Sequence, residues 1–279
     1  MEQAKEWYRD WLDYHLVDEG SVPEAWALSW GAPASAGRRY AVLGPATGED
    51  VFVRAVEIER VPDFQTLTSH GWAAIEMTVA DVDVVLKKLE RSPFRVIGLP
   101  RAVTSGSPIR AMQMVGPAEE VIYLTGNTGD RLASNHPEPQ TLIDRVFIMV
   151  LAGPDIGILK KFYLENFKLD DQGQLSFPIQ VLSDAQGLPA DHKYKLSVLV
   201  ASERGNKLEL DEYESQFGER PGPPDQLPPG VAMATFEADS FRGLDIDFVT
   251  SPAPLYEGYV AATFFGPAGE RTEIMVRER

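Results

Sequence analysis

The stretch GWAAIEMTVAD at 71–81 alternates in the manner of a strand, and the residues after it change period. Val82, Val85, Leu86 and Leu89 recur at helical spacing behind Asp81, a residue type suited to a helix N-cap. This predicts a strand followed by a capped helix. DRVFIMVLAGPD at 144–155 and GVAMATFEAD at 230–239 are further strand-like runs, each expected to lead into a helical stretch. Near the start, Ala4, Trp7, Tyr8, Trp11 and Leu12 keep helical spacing, within a phrase EWYRDWLDYHL that reads as a helix end. KFYLENFKL at 161–169 resembles that phrase.

A second phrase recurs at the ends of these blocks. GPATGEDVFVR (44–54), GPAEEVIYLT (116–125) and GPAGERTEIMV (266–276) each read as a tight turn entering an alternating strand, and ERGNKLELDEYE (203–214) is a diverged copy. Aligned on Gly-Pro-Ala, the phrases put Asp50, Glu120 and Glu270 in register, and three residues later Val53, Tyr123 and Glu273; Glu209 takes that last slot in the diverged copy. The chain thus divides into four blocks near 1–62, 70–127, 142–216 and 229–277, the first without a leading strand. The polar segment 128–140 reads as a linker, so the blocks are expected to pair as two halves, 1–130 and 141–279.

Composition narrows the function classes. Net charge is −16, which argues against nucleic acid and against anionic membranes as partners. No apolar run approaches the ~18 residues of a membrane span, and the N-terminus has no signal-peptide pattern. The chain has no cysteine, which excludes disulfides and Cys-ligated zinc and makes a cytoplasmic location the default expectation. There is no phosphate-loop motif. The four histidines have no metal spacing: His15 is read as a helix-face core residue, His70 as a turn residue, His136 as a linker residue, and His192 as a strand-end residue near a cup mouth.

The βαβββ blocks, the aromatic-Tyr pair on a helix, the GP(A)GE turn and the last-strand Glu together resemble the vicinal oxygen chelate superfamily, which includes glyoxalase I, bleomycin-resistance proteins and extradiol dioxygenases. The resemblance spans nearly the whole chain as a pattern. It implies an α+β fold of four modules paired into two cup-shaped sheets. It also implies a divalent metal at the cup floor, held by first-strand His or Gln and last-strand Glu. Carried over by residue, the last-strand slots are Val53, Tyr123, Glu209 and Glu273, and the first-strand slots are Ala74, Arg145 and Ala232. The expected His and Gln are missing.

The resemblance therefore implies a degenerate metal site that binds a small aromatic or carboxylated molecule, with metal-independent catalysis left open. Glu209 and Glu273 would face one cup with Arg145 in place of the metal, these three being the catalytic candidates. Tyr123, Arg110, Gln113 and His192 would touch the ligand. No cofactor is the first expectation. The alternative is a dioxygenase, lyase or isomerase with one divalent Fe, Mn, Ni or Zn on Glu273 and Glu209. A homodimer is expected, because a block without its first strand leaves a sheet edge to be covered.

Overall fold

A computed structural model describes residues 1–278. In chain order the elements are α1 (Glu2–Leu12), β1 (Tyr14–Ser21), α2 (Glu24–Ser29), β2 (Arg39–Pro45), β3 (Val53–Val56), β4 (Gly71–Val79), α3 (Val82–Leu89), β5 (Arg95–Ala102), β6 (Ile109–Val115), β7 (Val121–Asn127), β8 (Ile143–Gly153), α4 (Ile156–Asn166), β9 (Leu169–Pro178), α5 (Gln180–Gln186), β10 (Lys193–Ala201), β11 (Lys207–Glu212), β12 (Met233–Glu237), β13 (Ala253–Tyr256), β14 (Tyr259–Phe265) and β15 (Arg271–Arg277). The capping predicted from Asp81 is present: its side chain accepts from the backbone N–H groups of Asp83 and Val84, and Asp155 does the same for α4.

The sheets follow one module plan. In the second block the strand order is β4-β7-β6-β5, in the third β8-β11-β10-β9, and in the fourth β12-β15-β14-β13. In each, the first strand pairs parallel with the last, and the rest of the module is antiparallel. The first block has only the antiparallel part, β1-β2-β3. The fourth block departs from the expected plan. No helix follows β12 among the described residues. Segment 238–250 lacks a helical apolar stripe and bends at Gly243, which has φ +90. Phe241, Phe248 and Phe264 pack edge-on where a helix would sit.

The blocks also pair differently from the two sequential halves expected. β4 pairs antiparallel with β8, so the second and third blocks share one eight-stranded sheet across the 128–140 segment. The reason is local. Every residue of β4 is buried, as befits a central strand, and its free edge is filled by β8, the first strand of the next block. The first and fourth blocks are left to face each other. Trp30 and Arg54 of the first reach Glu273 and Tyr256 of the fourth. Lacking a first strand in the first block, this unit leaves β12 paired only to β15 among the described residues.

Apolar cores pack on both faces of the large sheet. On its convex side Tyr8 and Leu12 of α1 and Val82, Val85 and Leu89 of α3 pack on Ile75, Met77, Met112, Met114, Ile122 and Leu124. On the concave side Ala74, Val121, Tyr123, Ile148, Val150, Tyr194 and Tyr213 meet Val181 and Leu182 of α5. The first helix ends at Leu12, where Asp13 adopts a left-handed conformation, so His15 lies on β1 and is exposed, not on a helical core face.

Candidate functional site

The repeated turn explains itself first. Glu120 Oε2 accepts from its own turn's Ala118 N–H at 2.7 Å, and Glu270 Oε2 from Ala268 N–H at 2.8 Å. The other carboxylate oxygen of each accepts from a helix tyrosine of the preceding block: Tyr8 to Glu120 at 3.0 Å and Tyr163 to Glu270 at 2.8 Å. Burial pushes both carboxyls up to about 7, with the hydrogen bonds pulling back. The two repeated phrases are therefore two ends of one structural bond, made twice.

Both cups are roofed. The β1–β2 connection of the first block carries α2, and the equivalent β9–β10 connection of the third block carries α5. The even blocks make this connection without a helix; Glu257-Gly258 turns the hairpin in the fourth. Each short helix drops its apolar side into a cup: α2 buries Ala27 and is followed by Trp30, and α5 buries Val181 and Leu182. Gln186 fastens α5, donating to Leu67 O at 2.9 Å and accepting from Tyr194 OH at 3.1 Å.

In the cup of the first and fourth blocks, Glu273 is fully buried. Its carboxylate accepts from Trp30 Nε1 at 3.1 Å, Tyr256 OH at 2.9 Å and Thr235 Oγ1 at 3.0 Å. Arg54 donates to the same Tyr256 hydroxyl at 3.0 Å and lies 4.9 Å from the ring centroids of Trp26 and Tyr256. Burial raises Glu273, and the Arg54 guanidinium opposes the rise. The inward residue of β3 is thus Arg54, not Val53, which packs toward the convex core. The turn from Pro45 to Val53 is longer than its counterparts from Val115 to Val121 and Phe265 to Arg271, so the first phrase does not align with the others residue for residue.

In the cup of the second and third blocks, one row of cross-strand partners runs Gln113, Tyr123, Glu76, Ile148, Lys207 over β6, β7, β4, β8 and β11. The neighbouring row runs Val121, Ala74, Val150, Glu209. Asp211 and Tyr213 continue the inward face of β11 and are each 1% exposed. Asp211 Oδ1 and the Tyr213 hydroxyl are buried with no hydrogen-bond partner among the described residues. Burial pushes Glu76 up to about 7 against the pull of Thr125 and Lys207. Burial and then Glu76 push Asp211 up to about 7. Glu209 is driven well above the carboxylate range by burial and by Asp211 and Glu76. Lys207 donates to Ser134 O at 3.0 Å and stands 3.5 Å from His136 Nδ1. His136 is held down to about 4 by burial and that ammonium.

The candidate residues fall into separate places. Glu209 and Glu273 lie in different cups, because the first block pairs with the fourth. Arg145 joins neither: it donates to Asn206 Oδ1 at 2.5 Å and Val146 O at 3.1 Å, and lies 3.8 Å from Glu49. The ladder sets Glu76, Val150 and Thr235 opposite Tyr123, Glu209 and Glu273, in place of Ala74, Arg145 and Ala232. Gln113 and Tyr123 are cross-strand partners in the cup. Arg110 leaves it, forming a bidentate ion pair with Asp83 on α3. His192 stays at a strand end, 3.8 Å from Glu214 and against Tyr194. Asp211, Tyr213 and Arg54 were missed. The alternation of KLELDEY, with Leu208 and Leu210 on the opposite face, is the signal for the first two.

Neither cup suits a divalent metal. Glu273 is saturated by neutral donors beside a cation. In the other cup Val150 occupies a ligand position, and among the described residues no three acidic or imidazole side chains converge to hold an ion.

No protein-family model and no curated protein sequence matches this chain. Among solved structures it is similar to glyoxalase I from Zea mays, with a TM-score of 0.66 and 14% identity over 99% of this chain and 88% of that one. It is also similar to a candidate dioxygenase from Bacillus subtilis, with a TM-score of 0.61 and 11% identity over 99% and 81%. No helix among the described residues is long and apolar enough to cross a membrane. The chain has an α+β fold with curled sheets and few helices, the fold of glyoxalase I.

Proposed function

We propose that this protein binds a small aromatic molecule in the cup of its second and third blocks and exchanges protons with it without a metal. The observation that carries the proposal is the pair of buried, unpartnered groups, Asp211 Oδ1 and Tyr213 OH, on one face with Glu209. Buried polar atoms without partners are rare and costly, so a face that keeps two is built to receive something polar. Tyr123, Tyr194 and Tyr213 form walls for a flat ring.

The acids select the ligand. Glu76, Glu209 and Asp211 repel a carboxylate and favour hydroxyl or amine donors, so a phenol or an aromatic amine fits this cup better than a benzoate. Carboxyls poised near 7 suit general acid–base work at neutral pH. Glu76 and Asp211 are assigned the proton exchange, and Tyr123, Tyr213 and Gln113 the positioning. Ligand entry requires α5 to lift. Self-association would run through the free edge of β12.

Saturation-transfer NMR with catechol, tyramine and benzoate tests the proposal. Catechol or tyramine should bind wild type and be lost in Ala74→Trp, which fills the cup floor. Binding of benzoate alone, or binding unchanged by Ala74→Trp, contradicts it.

A further inference from the structure

A cavity of about 400 Å³ lies outside both cups, under the proline-rich 218–230 segment that joins the third and fourth blocks. Arg220 and Arg271 line it, with Trp72 and Phe265 as apolar walls. Arg220 is committed to the backbone of both sheet units: it donates to Trp72 O, to Val231 O at 2.6 Å and to Pro229 O at 3.4 Å, and to Ser69 Oγ at 3.3 Å. Arg271 is not. Among the described residues it donates only through Nε, to Trp30 O at 2.5 Å, while its guanidinium lies 5.0 Å from the Phe265 ring centroid. Both Nη groups are left over.

Neither arginine has a carboxylate partner within ion-pair distance among the described residues. Two carboxyls do line the cavity. Both oxygens of Glu270 are engaged by Tyr163 and Ala268, and Glu219 is exposed. Two largely buried guanidiniums in one cavity repel each other, and a buried cation without a counter-charge is costly. Burial accordingly lowers both to about 10. In a chain of net charge −16, this is a local reversal of sign.

We propose that this cavity is a second binding site, taking a small organic oxyanion on the free Nη groups of Arg271 with its apolar part against Trp72 and Phe265. A guanidinium fork matches carboxylate and phosphate oxygens, and Arg220 supplies a fixed positive field behind it. The site is independent of the cups and of the function proposed for them.

Side-chain Nε–H NMR of the arginines tests this, with benzoate, inorganic phosphate and benzylamine as probes. Benzoate or phosphate should shift the Arg271 signal saturably in the millimolar range, and benzylamine should not. Benzoate alone identifies the carboxylate class, and phosphate alone the phosphate class. Arg271→Gln should weaken anion binding at least tenfold, and Arg271→Lys, which keeps the charge without the fork, should weaken it less. The proposal is overturned if neither anion moves the Arg271 signal, if benzylamine moves it equally, or if Arg271→Gln binds as wild type. Should Arg271→Gln fail to fold, the wild-type titration and Arg271→Lys decide the matter.

Discussion

The Tyr163 hydroxyl donates to the buried Glu270 carboxylate at 2.8 Å, and Tyr8 repeats the bond on Glu120 at 3.0 Å. Each bond ties an odd block's helix to the following block's turn, while the sheets tie the second block to the third. Tyr163→Phe removes the donor and leaves a buried carboxylate oxygen exposed to its desolvation cost, so we expect a loss of about 1–3 kcal/mol. Tyr8→Phe should cost a similar amount. Urea denaturation measures both; a change below about 0.5 kcal/mol in each would show that the bond is replaced by water.

The same carboxyls set a pH dependence. Glu270 and Glu120 have folded values near 7, above the unfolded value of 4.5, so the folded state holds more protons between the two. Their stabilisation is full below about 4.5 and is lost as pH rises through about 7. Glu76 and Asp211 act in the same direction. Each group accounts for a drift on the order of 3–4 kcal/mol at most. Glu270→Gln should flatten one group's share of the decline in chemical-denaturation stability between pH 5 and 8. An unchanged slope would remove Glu270 from the account.

In the first-and-fourth-block cup, the Arg54 guanidinium opposes the rise that burial imposes on Glu273. Arg54→Met keeps the stem against Trp26 and Tyr256 but removes the charge. Loss of about 1–3 kcal/mol and a more proton-retaining Glu273 are expected, since one partner of a buried polar network is gone. Thermal denaturation and Trp fluorescence against pH check this. A variant as stable as wild type at pH 8 would mean that Trp30, Tyr256 and Thr235 suffice.

What the sequence disclosed depended on range. The Asp81 cap, the strand before it and the Glu120–Glu270 register are local patterns, and each is present. The bond between the two repeated phrases joins residues over a hundred positions apart, which no local period encodes. Glu209 and Glu273 occupy equivalent slots, yet which cup each faces depends on whether β4 or another strand receives β8. Val53 stood for Arg54 because the longer first turn breaks the residue-for-residue match between the phrases, and a slip of one residue in a strand exchanges core for cup. The roofs α2 and α5 are too short to carry a helical period.

Side-chain carboxyl ¹³C NMR against pH tests most directly whether Glu76, Glu209 and Asp211 titrate as one cluster. We predict at least one macroscopic step near pH 7 shared among the three, and a shift of the remaining Glu76 and Glu209 step to lower pH in Asp211→Asn, as a like charge is removed. Three independent titrations below pH 5, unaltered in Asp211→Asn, would contradict the proposal that this cup exchanges protons.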